Sequence, residues 1–127
     1  MRPNFLSSGF NGPFGVGTSG SVSEKKLSFY EGIFFAADPI AVERCLQIYT
    51  SEDLSQDVQA FGKTFDHPFL LIHGGSDGGV PLAASAELVK KLAPKAQLTV
   101  YEGGGHGLFN LLHFSGYISN FIRSSHA

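Results

Sequence analysis

Hydrophobic residues follow a helical spacing in the first half of the chain and form short, largely apolar runs in the second half. Two runs, Phe69–Ile72 and Leu98–Tyr101, are each the length of a strand, and a glycine-rich turn follows each of them. Runs of this kind are typical of strands that are covered on both faces. Between them, residues 81–92 carry apolar positions at helical spacing, with Pro81 in the first turn. The order strand, helix, strand predicts two parallel strands.

The upstream half is predicted to be a glycine-rich loop over residues 1–22 followed by helices. Ser21-Val22-Ser23-Glu24 has the pattern of a capping box, and Asp38-Pro39 has that of a second helix start. A third, acidic helix is expected over residues 50–61, and a closing helix over residues 109–123. The apolar faces that we expect to be buried are Leu27, Tyr30, Ile33 and Phe34 on the first helix, Val42, Cys45, Leu46 and Tyr49 on the second, and Phe114, Tyr117, Ile118, Phe121 and Ile122 on the last.

Each of the two glycine-rich turns carries one residue with catalytic potential, Asp77 in the first and His106 in the second. Parallel strands end at the same edge of a sheet, so these side chains are expected to meet despite their separation in sequence. A carboxylate that accepts from one imidazole nitrogen fixes the tautomer and leaves the other nitrogen as a general base. The alternative is that Asp77 bonds its own turn backbone and His106 has no partner.

The sequence around both residues resembles a known family. LLIHGGSDGGVP, residues 70–81, and LTVYEGGGHGLF, residues 98–109, are similar to the acid and histidine turns of α/β-hydrolases, in particular the non-haem chloroperoxidase and arylesterase-like branch. The resemblance implies that Asp77 is the acid of a catalytic triad and His106 its histidine. It also implies that the upstream helices are cap helices that cover an active site, although Phe29, Phe34, Phe35 and Tyr49 fit simple core packing equally well.

The fold class that follows is α/β, a partial α/β-hydrolase fold with two C-terminal parallel strands, flanking helices and cap helices. Residues 1–62 are expected to form the cap-like loop and helices. Residues 63–127 are expected to form the C-terminal portion of the hydrolase core, so that the chain is a single incomplete domain.

The family nucleophile is a serine in a G-x-S-x-G elbow between a strand and a helix, and we predict that this chain lacks it. Ser19 in GTSGS has neither the closing glycine nor a preceding strand. His73-Gly74-Gly75 also resembles a lipase-type oxyanion loop, but the acid-turn interpretation is favoured, which leaves His73 a structural residue that bonds locally. We therefore expect a carboxylic-ester hydrolase or perhydrolase lineage that is inactive alone. The alternative is a non-catalytic binding module or a truncated gene product.

A nucleotide-binding module is a weaker alternative. Gly15–Gly20, GVGTSG, satisfies G-x-G-x-x-G, but this fingerprint requires a strand directly before it. Asn11-Gly12-Pro13 stands there instead, and proline and glycine interrupt strands.

Composition narrows the remaining functions. A net charge of −2 without a basic run excludes the electrostatic pattern of a nucleic-acid binder, and 43% hydrophobic residues argue against disorder. No apolar run has the length of a membrane span and no signal peptide is recognised, so we expect a cytoplasmic protein. Cys45 is expected to be an apolar filler. We predict no cofactor and no metal, a small-molecule ester as substrate, and self-association through the open edge of the first strand. His67, His113 and His126 are expected to be surface or packing residues.

Overall fold

The computed structural model describes residues 9, 15–16, 22–110 and 114–125, which form helices around a two-stranded sheet. The elements are α1 (Glu24–Ala36), α2 (Pro39–Ser51), α3 (Ser55–Thr64), β1 (Leu70–Gly74), a 3-10 turn (Leu82–Ala84), α4 (Ala86–Leu92), β2 (Gln97–Tyr101), a second 3-10 turn (Leu108–Asn110) and α5 (Phe114–Ser125). The partial α/β fold that the sequence predicts is confirmed.

The sheet consists of β1 and β2, which are parallel as predicted. Their register runs from Leu70 opposite Gln97 to Gly74 opposite Tyr101. At one end, Gln97 N donates to Phe69 O at 2.8 Å, and at the other, Gly75 N donates to Tyr101 O at 2.9 Å. Both strands therefore end at the same edge, where the two glycine-rich turns begin.

The connection between the strands is a helix broken at Ser85, whereas the sequence pattern predicted one continuous helix over residues 81–92. Ser85 has φ −135° and ψ −95°, between the 3-10 turn and α4. Its hydroxyl lies 2.8 Å from Pro81 O. A short hydroxyl side chain that bonds nearby backbone competes with helix formation, which accounts for the break.

Part of the core of the described region lies between α3, α4 and the sheet, and the buried side chains there are small. Ala86, Ala93 and Ala96 are buried. A Cβ built on Gly62 of α3 would lie 2.6 Å from the Cα of Ala93. Glycine at this position therefore lets α3 approach the end of α4 at backbone distance.

The prediction of a buried face is wrong for the described residues of α2 and for half of the α1 face, where only Leu27 and Tyr30 are half-buried. Ile33, Phe34 and Leu46 are 55%, 53% and 59% exposed, and Cys45 is exposed rather than an apolar filler. Helical spacing identifies which residues share a face but not whether another element covers that face. In the described residues Tyr30 stands edge-on to the ring of Phe109, while the rest of the α1 face and the α2 face stay largely uncovered. The apolar faces of α1 and α2 are therefore available for packing.

The helix ends differ in part from the predicted ones. The residue that precedes α1 is Ser23, and its side chain makes no capping hydrogen bond, so the predicted capping box does not form. Asp38 caps α2 as predicted, because its Oδ1 accepts from the backbone N–H of Ile40 and Ala41. The acidic helix starts at Ser55 and extends to Thr64 rather than covering residues 50–61, because α2 continues through Ser51.

The closing helix α5 packs with only part of its apolar face. Phe114, Tyr117 and Phe121 are partly buried, and the ring of Tyr117 stands edge-on to Tyr101 with centroids 5.8 Å apart. Ile118 and Ile122, which were expected on the same buried face, are exposed. No helix in the described ranges has the length and apolar character needed to cross a lipid bilayer.

Candidate active site

Backbone hydrogen bonds join the turn after β1 to the turn after β2. Ser76 N donates to Gly104 O at 2.8 Å, and the adjacent Gly75 N donates to Tyr101 O. Within the second turn, Gly104 N donates back to Tyr101 O at 3.0 Å. The two turns, each of which carries one candidate catalytic residue, are thus held as one unit.

Glycine is required where the two turns touch. A Cβ on Gly74 would overlap the carbonyl oxygens of Gly104 and Gly105, which belong to the backbone and cannot rotate away. Gly103 has φ 72°, a left-handed conformation that residues with a Cβ rarely adopt. These glycines allow the acid turn and the histidine turn to approach within hydrogen-bond distance.

The side chains of Asp77 and His106 meet, as the sequence predicts. Asp77 Oδ1 accepts from the backbone N–H of Gly79 and Val80 at 2.9 and 2.8 Å. Its Oδ2 lies 2.9 Å from Nδ1 of His106, which donates to it. The side chain of Asp77 is only 4% exposed, whereas that of His106 is 56% exposed. Bonding to its own turn, the alternative interpretation of Asp77, accounts for the contacts of Oδ1 only, because Oδ2 contacts the imidazole of His106.

The environment keeps Asp77 ionised. Burial by itself raises the pKa of this carboxyl, but the hydrogen bonds from Val80 N–H, His106 and Gly79 N–H, together with the charge of His106, outweigh it. The net effect is a pKa below the usual 3.8. An ionised carboxylate can only accept hydrogen bonds, so it holds the proton of His106 on Nδ1. Nε2 of His106 is then the basic nitrogen, and it bonds no residue that the structure describes.

His73 is a local structural residue, as predicted. Its side chain is 12% exposed. Nδ1 lies 2.9 Å from Gly74 O and Nε2 lies 3.0 Å from Ser85 Oγ. Nε2 is also 3.9 Å from Asp77 Oδ2, on the carboxylate that contacts His106. Ser85 was not assigned to this site from the sequence, because a serine on a predicted inward helix face gives no signal beyond packing.

The prediction that the chain contains no G-x-S-x-G pattern needs correction, because Gly74-Gly75-Ser76-Asp77-Gly78 satisfies it directly after β1. The local structure nevertheless differs from an elbow. The chain continues from Ser76 through the turn of Asp77 to Pro81 and then into a 3-10 turn, not from the serine into a helix. Ser76 itself is exposed, and its backbone N–H donates the hydrogen bond to Gly104 O. The sequence therefore matches the motif, but the backbone does not have the strand–turn–helix geometry of a nucleophile elbow.

Ser19, which was not favoured as a nucleophile, and His113 and His126, which were expected to be surface or packing residues, fall outside the described part of the chain. Of the glycine-rich fingerprint at residues 15–20, only Gly15 and Val16 are described. Gly15 O accepts from Gly107 N at 2.6 Å, and Val16 is fully buried. Gly15 therefore accepts a backbone hydrogen bond from the histidine turn. His67 is exposed and packs on the ring of Phe65, in agreement with its predicted role.

The helix α1 is hydrogen-bonded to the segment that follows the histidine turn. The hydroxyl of Tyr30 on α1 donates to Oδ1 of Asn110 at 2.7 Å. A cavity of roughly 340 Å³ opens beside Asp77 and His106, with further polar groups from His73 and Ser85 and an otherwise largely apolar lining. Within the described ranges no three His, Cys, Asp or Glu side chains cluster in a way that could hold a metal ion.

Comparison with known proteins identifies the lineage. The family described as serine aminopeptidase, S33, matches residues 35–111, which is more than half of the chain and includes both glycine-rich turns. The chain belongs to this family of α/β-hydrolases. The chain is 37% identical over 65 residues to the non-haem chloroperoxidase CPO-A1 of Kitasatospora aureofaciens, and 36% identical over 63 residues to a non-haem haloperoxidase of Rhodococcus erythropolis.

A bromoperoxidase of Bacillus anthracis has a similar structure, with a TM-score of 0.76 and 25% sequence identity over 96% of this chain. The resemblance to the chloroperoxidase-like branch is thus confirmed. The matched regions are partial, however. They cover 51% and 50% of this chain but 22% of each curated relative, and the chain covers 44% of the bromoperoxidase. The division into residues 1–62 and 63–127 stays a prediction.

Proposed function

We propose that this α/β-hydrolase-family chain contributes the acid and the histidine of a carboxylic-ester hydrolase or perhydrolase whose nucleophile lies outside the described residues. The observation that carries the proposal is the 2.9 Å contact between Asp77 Oδ2 and His106 Nδ1. It orients the imidazole on a side chain that is 56% exposed, and an oriented base of this kind is what a serine nucleophile requires.

In the proposed reaction, Nε2 of His106 accepts the proton of a serine hydroxyl while that oxygen attacks the ester carbonyl. The alcohol leaves with the proton from His106, and water or hydrogen peroxide then releases the acyl group by the same base. Asp77 stays ionised throughout and stabilises the imidazolium.

Without a nucleophile the pair has little catalytic power. In subtilisin, which uses the same three catalytic groups, loss of the serine lowers turnover on the order of a millionfold. Among the described serines, Ser76 and Ser85 lie next to this site, and neither makes a hydrogen bond to His106 in the described structure. We therefore propose that the chain alone is inactive toward esters and becomes active only with the remaining part of a hydrolase domain.

The open edge of β1 and the exposed faces of α1 and α2 are the surfaces to which that part would bind. Phe69 O and Gly75 N bond to β2, so in the alternating pattern of a strand the backbone groups of Ile72 point to the other side. A two-stranded sheet is marginal by itself. We propose that a further strand pairs here, and that a second copy of the chain takes this edge when the rest of the domain is absent.

The decisive experiment measures hydrolysis of p-nitrophenyl acetate by the 127-residue chain alone and after refolding with an N-terminal polypeptide of a chloroperoxidase relative that contains its nucleophile. We expect hydrolysis near the buffer rate for the chain alone and well above it for the mixture. His106→Ala and Asp77→Asn in this chain should abolish the gain, whereas Ser76→Ala should retain it.

Two outcomes would contradict the proposal. One is activity of the mixture that persists in the His106→Ala chain, since the base would then be elsewhere. The other is a mixture that forms a stable complex without any esterase or perhydrolase activity. That result would favour the non-catalytic binding module.

A further inference from the structure

His106 is an exposed residue between buried neighbours. The two residues before it and the two after it, Gly104, Gly105, Gly107 and Leu108, are buried. The backbone of the histidine turn therefore lies inside the molecule, and the side chain of His106, 56% exposed, extends from it. The direction of this side chain depends on what fixes the backbone on each side of His106.

On the preceding side, the acid turn fixes the backbone. Ser76 N donates to Gly104 O at 2.8 Å. The peptide group that joins Gly104 to Gly105 is thereby tied to the turn that carries Asp77. This hydrogen bond acts on the part of the histidine turn that precedes His106.

On the following side, the segment before α1 fixes the backbone. The N–H of Gly107 belongs to the peptide group directly after His106, and it donates to Gly15 O at 2.6 Å. A Cβ on Gly107 would lie 3.1 Å from both C and Cα of Gly15, so the two backbones are in contact. Because a planar peptide group moves as one unit and this one begins at the Cα of His106, its orientation helps to set the direction of the imidazole.

Val16 holds Gly15 in place. Its side chain is 0% exposed, and it is the largest completely buried side chain among the described residues. Burial of a β-branched apolar side chain is favourable and leaves it few alternative rotamers, so Gly15 is tied to the core through its neighbour. The first glycine of the G-x-G-x-x-G pattern thus has a role that requires no nucleotide.

We propose that Gly15 and Val16 are positioning residues for His106. Val16 anchors the segment in the core, and Gly15 O fixes the peptide group after His106. Nδ1 of His106 is thereby held 2.9 Å from Oδ2 of Asp77. This inference rests on the proposed function, because it concerns the same acid and histidine, but it assigns a role to two residues from the far upstream part of the chain.

The test measures two quantities by nitrogen-15 NMR in the full chain at neutral pH, hydrogen exchange at the Gly107 amide and the tautomer of the neutral His106 ring. Val16→Ala removes two buried methyl groups and should loosen the segment. We expect the Gly107 amide to exchange about fivefold faster, the effect of weakening one neutral hydrogen bond. The ratio of the Nδ1–H to the Nε2–H tautomer should fall about threefold, because complete loss of the charge-assisted bond to Asp77 would lower it roughly tenfold or more.

A second variant disturbs the same contact from the other side. The Cβ of Gly107→Ala would press on the backbone of Gly15 and should also lower the tautomer ratio. The matched control is Val22→Ala, the same substitution at a second buried valine, 6% exposed, shortly before α1. It should leave the tautomer ratio close to that of the wild type, because Val22 does not adjoin Gly15 in the chain. Backbone amide spectra of β2 and α4 identify any variant that has unfolded.

The outcomes separate this inference from the proposed function. If wild-type His106 shows no preference for the Nδ1–H tautomer, the proposed pair with Asp77 itself fails. If the preference is present, an unprotected Gly107 amide in the wild type refutes the positioning role, and so does an unchanged tautomer ratio in either folded variant. An equal fall in Val22→Ala also refutes it, because general loosening of the segment and not the Gly15 contact would then be responsible. If Val16→Ala does not fold, Gly107→Ala decides by the same criterion.

Discussion

Replacement of Gly74 by alanine tests whether the close approach of the two turns holds Asp77 and His106 together. The new Cβ would overlap two backbone carbonyl oxygens, those of Gly104 and Gly105. No side chain can rotate to relieve this contact, so the turns must separate. The separation strains the hydrogen bonds that Gly75 N and Ser76 N donate at 2.9 and 2.8 Å.

The neighbouring Gly75 offers a matched control. A Cβ on Gly75 would meet Val100 Cγ1 at 3.4 Å and two oxygens at 3.5 Å, which are ordinary contacts. Neither Gly74 nor Gly75 has a positive φ. Both substitutions reduce the freedom of the unfolded chain to a similar degree, so the difference between them isolates the steric overlap.

Overpacking costs about 1–3 kcal/mol, and each strained hydrogen bond adds about 0.5–1.5 kcal/mol. We therefore expect Gly74→Ala to be less stable than Gly75→Ala by about 3 kcal/mol, which corresponds to a Tm lower by roughly 10 °C. Urea unfolding followed by circular dichroism gives the free energies, and the His106 Nδ1–H signal reports the contact with Asp77. Equal stability of the two variants, within about 1 kcal/mol, would refute the argument that the turns are packed at backbone distance.

Three further predictions concern the Asp77–His106 pair, the hydrogen bond between Tyr30 and Asn110, and the open edge of β1. The folded-state pKa of Asp77 lies below 3.8, so the ionised carboxylate stabilises the fold fully above pH 3.8, and this stabilisation is lost as pH falls through the lower folded-state pKa. Asp77→Asn should therefore flatten the dependence of the unfolding free energy on pH in this range. An unchanged pH dependence in the variant would exclude the effect. Tyr30→Phe removes the 2.7 Å bond to Asn110 Oδ1 and should cost about 1 kcal/mol of unfolding free energy, while Phe29→Leu, at an exposed ring on the same helix, should cost less. Ile72→Pro removes an N–H from the open edge of β1 and should reduce self-association in sedimentation velocity; a wild-type chain that is monomeric at all concentrations would contradict that edge as an interface.

The sequence predicts the second half of the molecule better than the first for a physical reason. Apolar runs followed by glycine-rich turns identify strands and their ends from neighbouring residues alone, and the parallel pairing of β1 and β2 follows from the helix between them. The meeting of Asp77 and His106 then follows from the parallel geometry. By contrast, the exposure of Phe34 and Leu46 depends on what packs against α1 and α2, which periodicity within a helix cannot express.

Two features of the site were missed because their signals are weak or ambiguous. Ser85 breaks its helix through a hydroxyl bond that competes with the backbone, and a serine at such a position looks like any other helix residue. The pattern Gly74–Gly78 was overlooked because its serine stands beside the acid in the same turn. The local backbone, and not the motif, decides that this serine is no elbow.

The exposure of Cys45 on α2 has a practical consequence for experiments on assembly. It is the one cysteine of the chain and its thiol is accessible. A maleimide fluorophore would therefore attach at a single place without mutagenesis. Since this place lies on a helix that we propose the rest of a hydrolase domain covers, quenching or spectral change of the dye would report docking in real time.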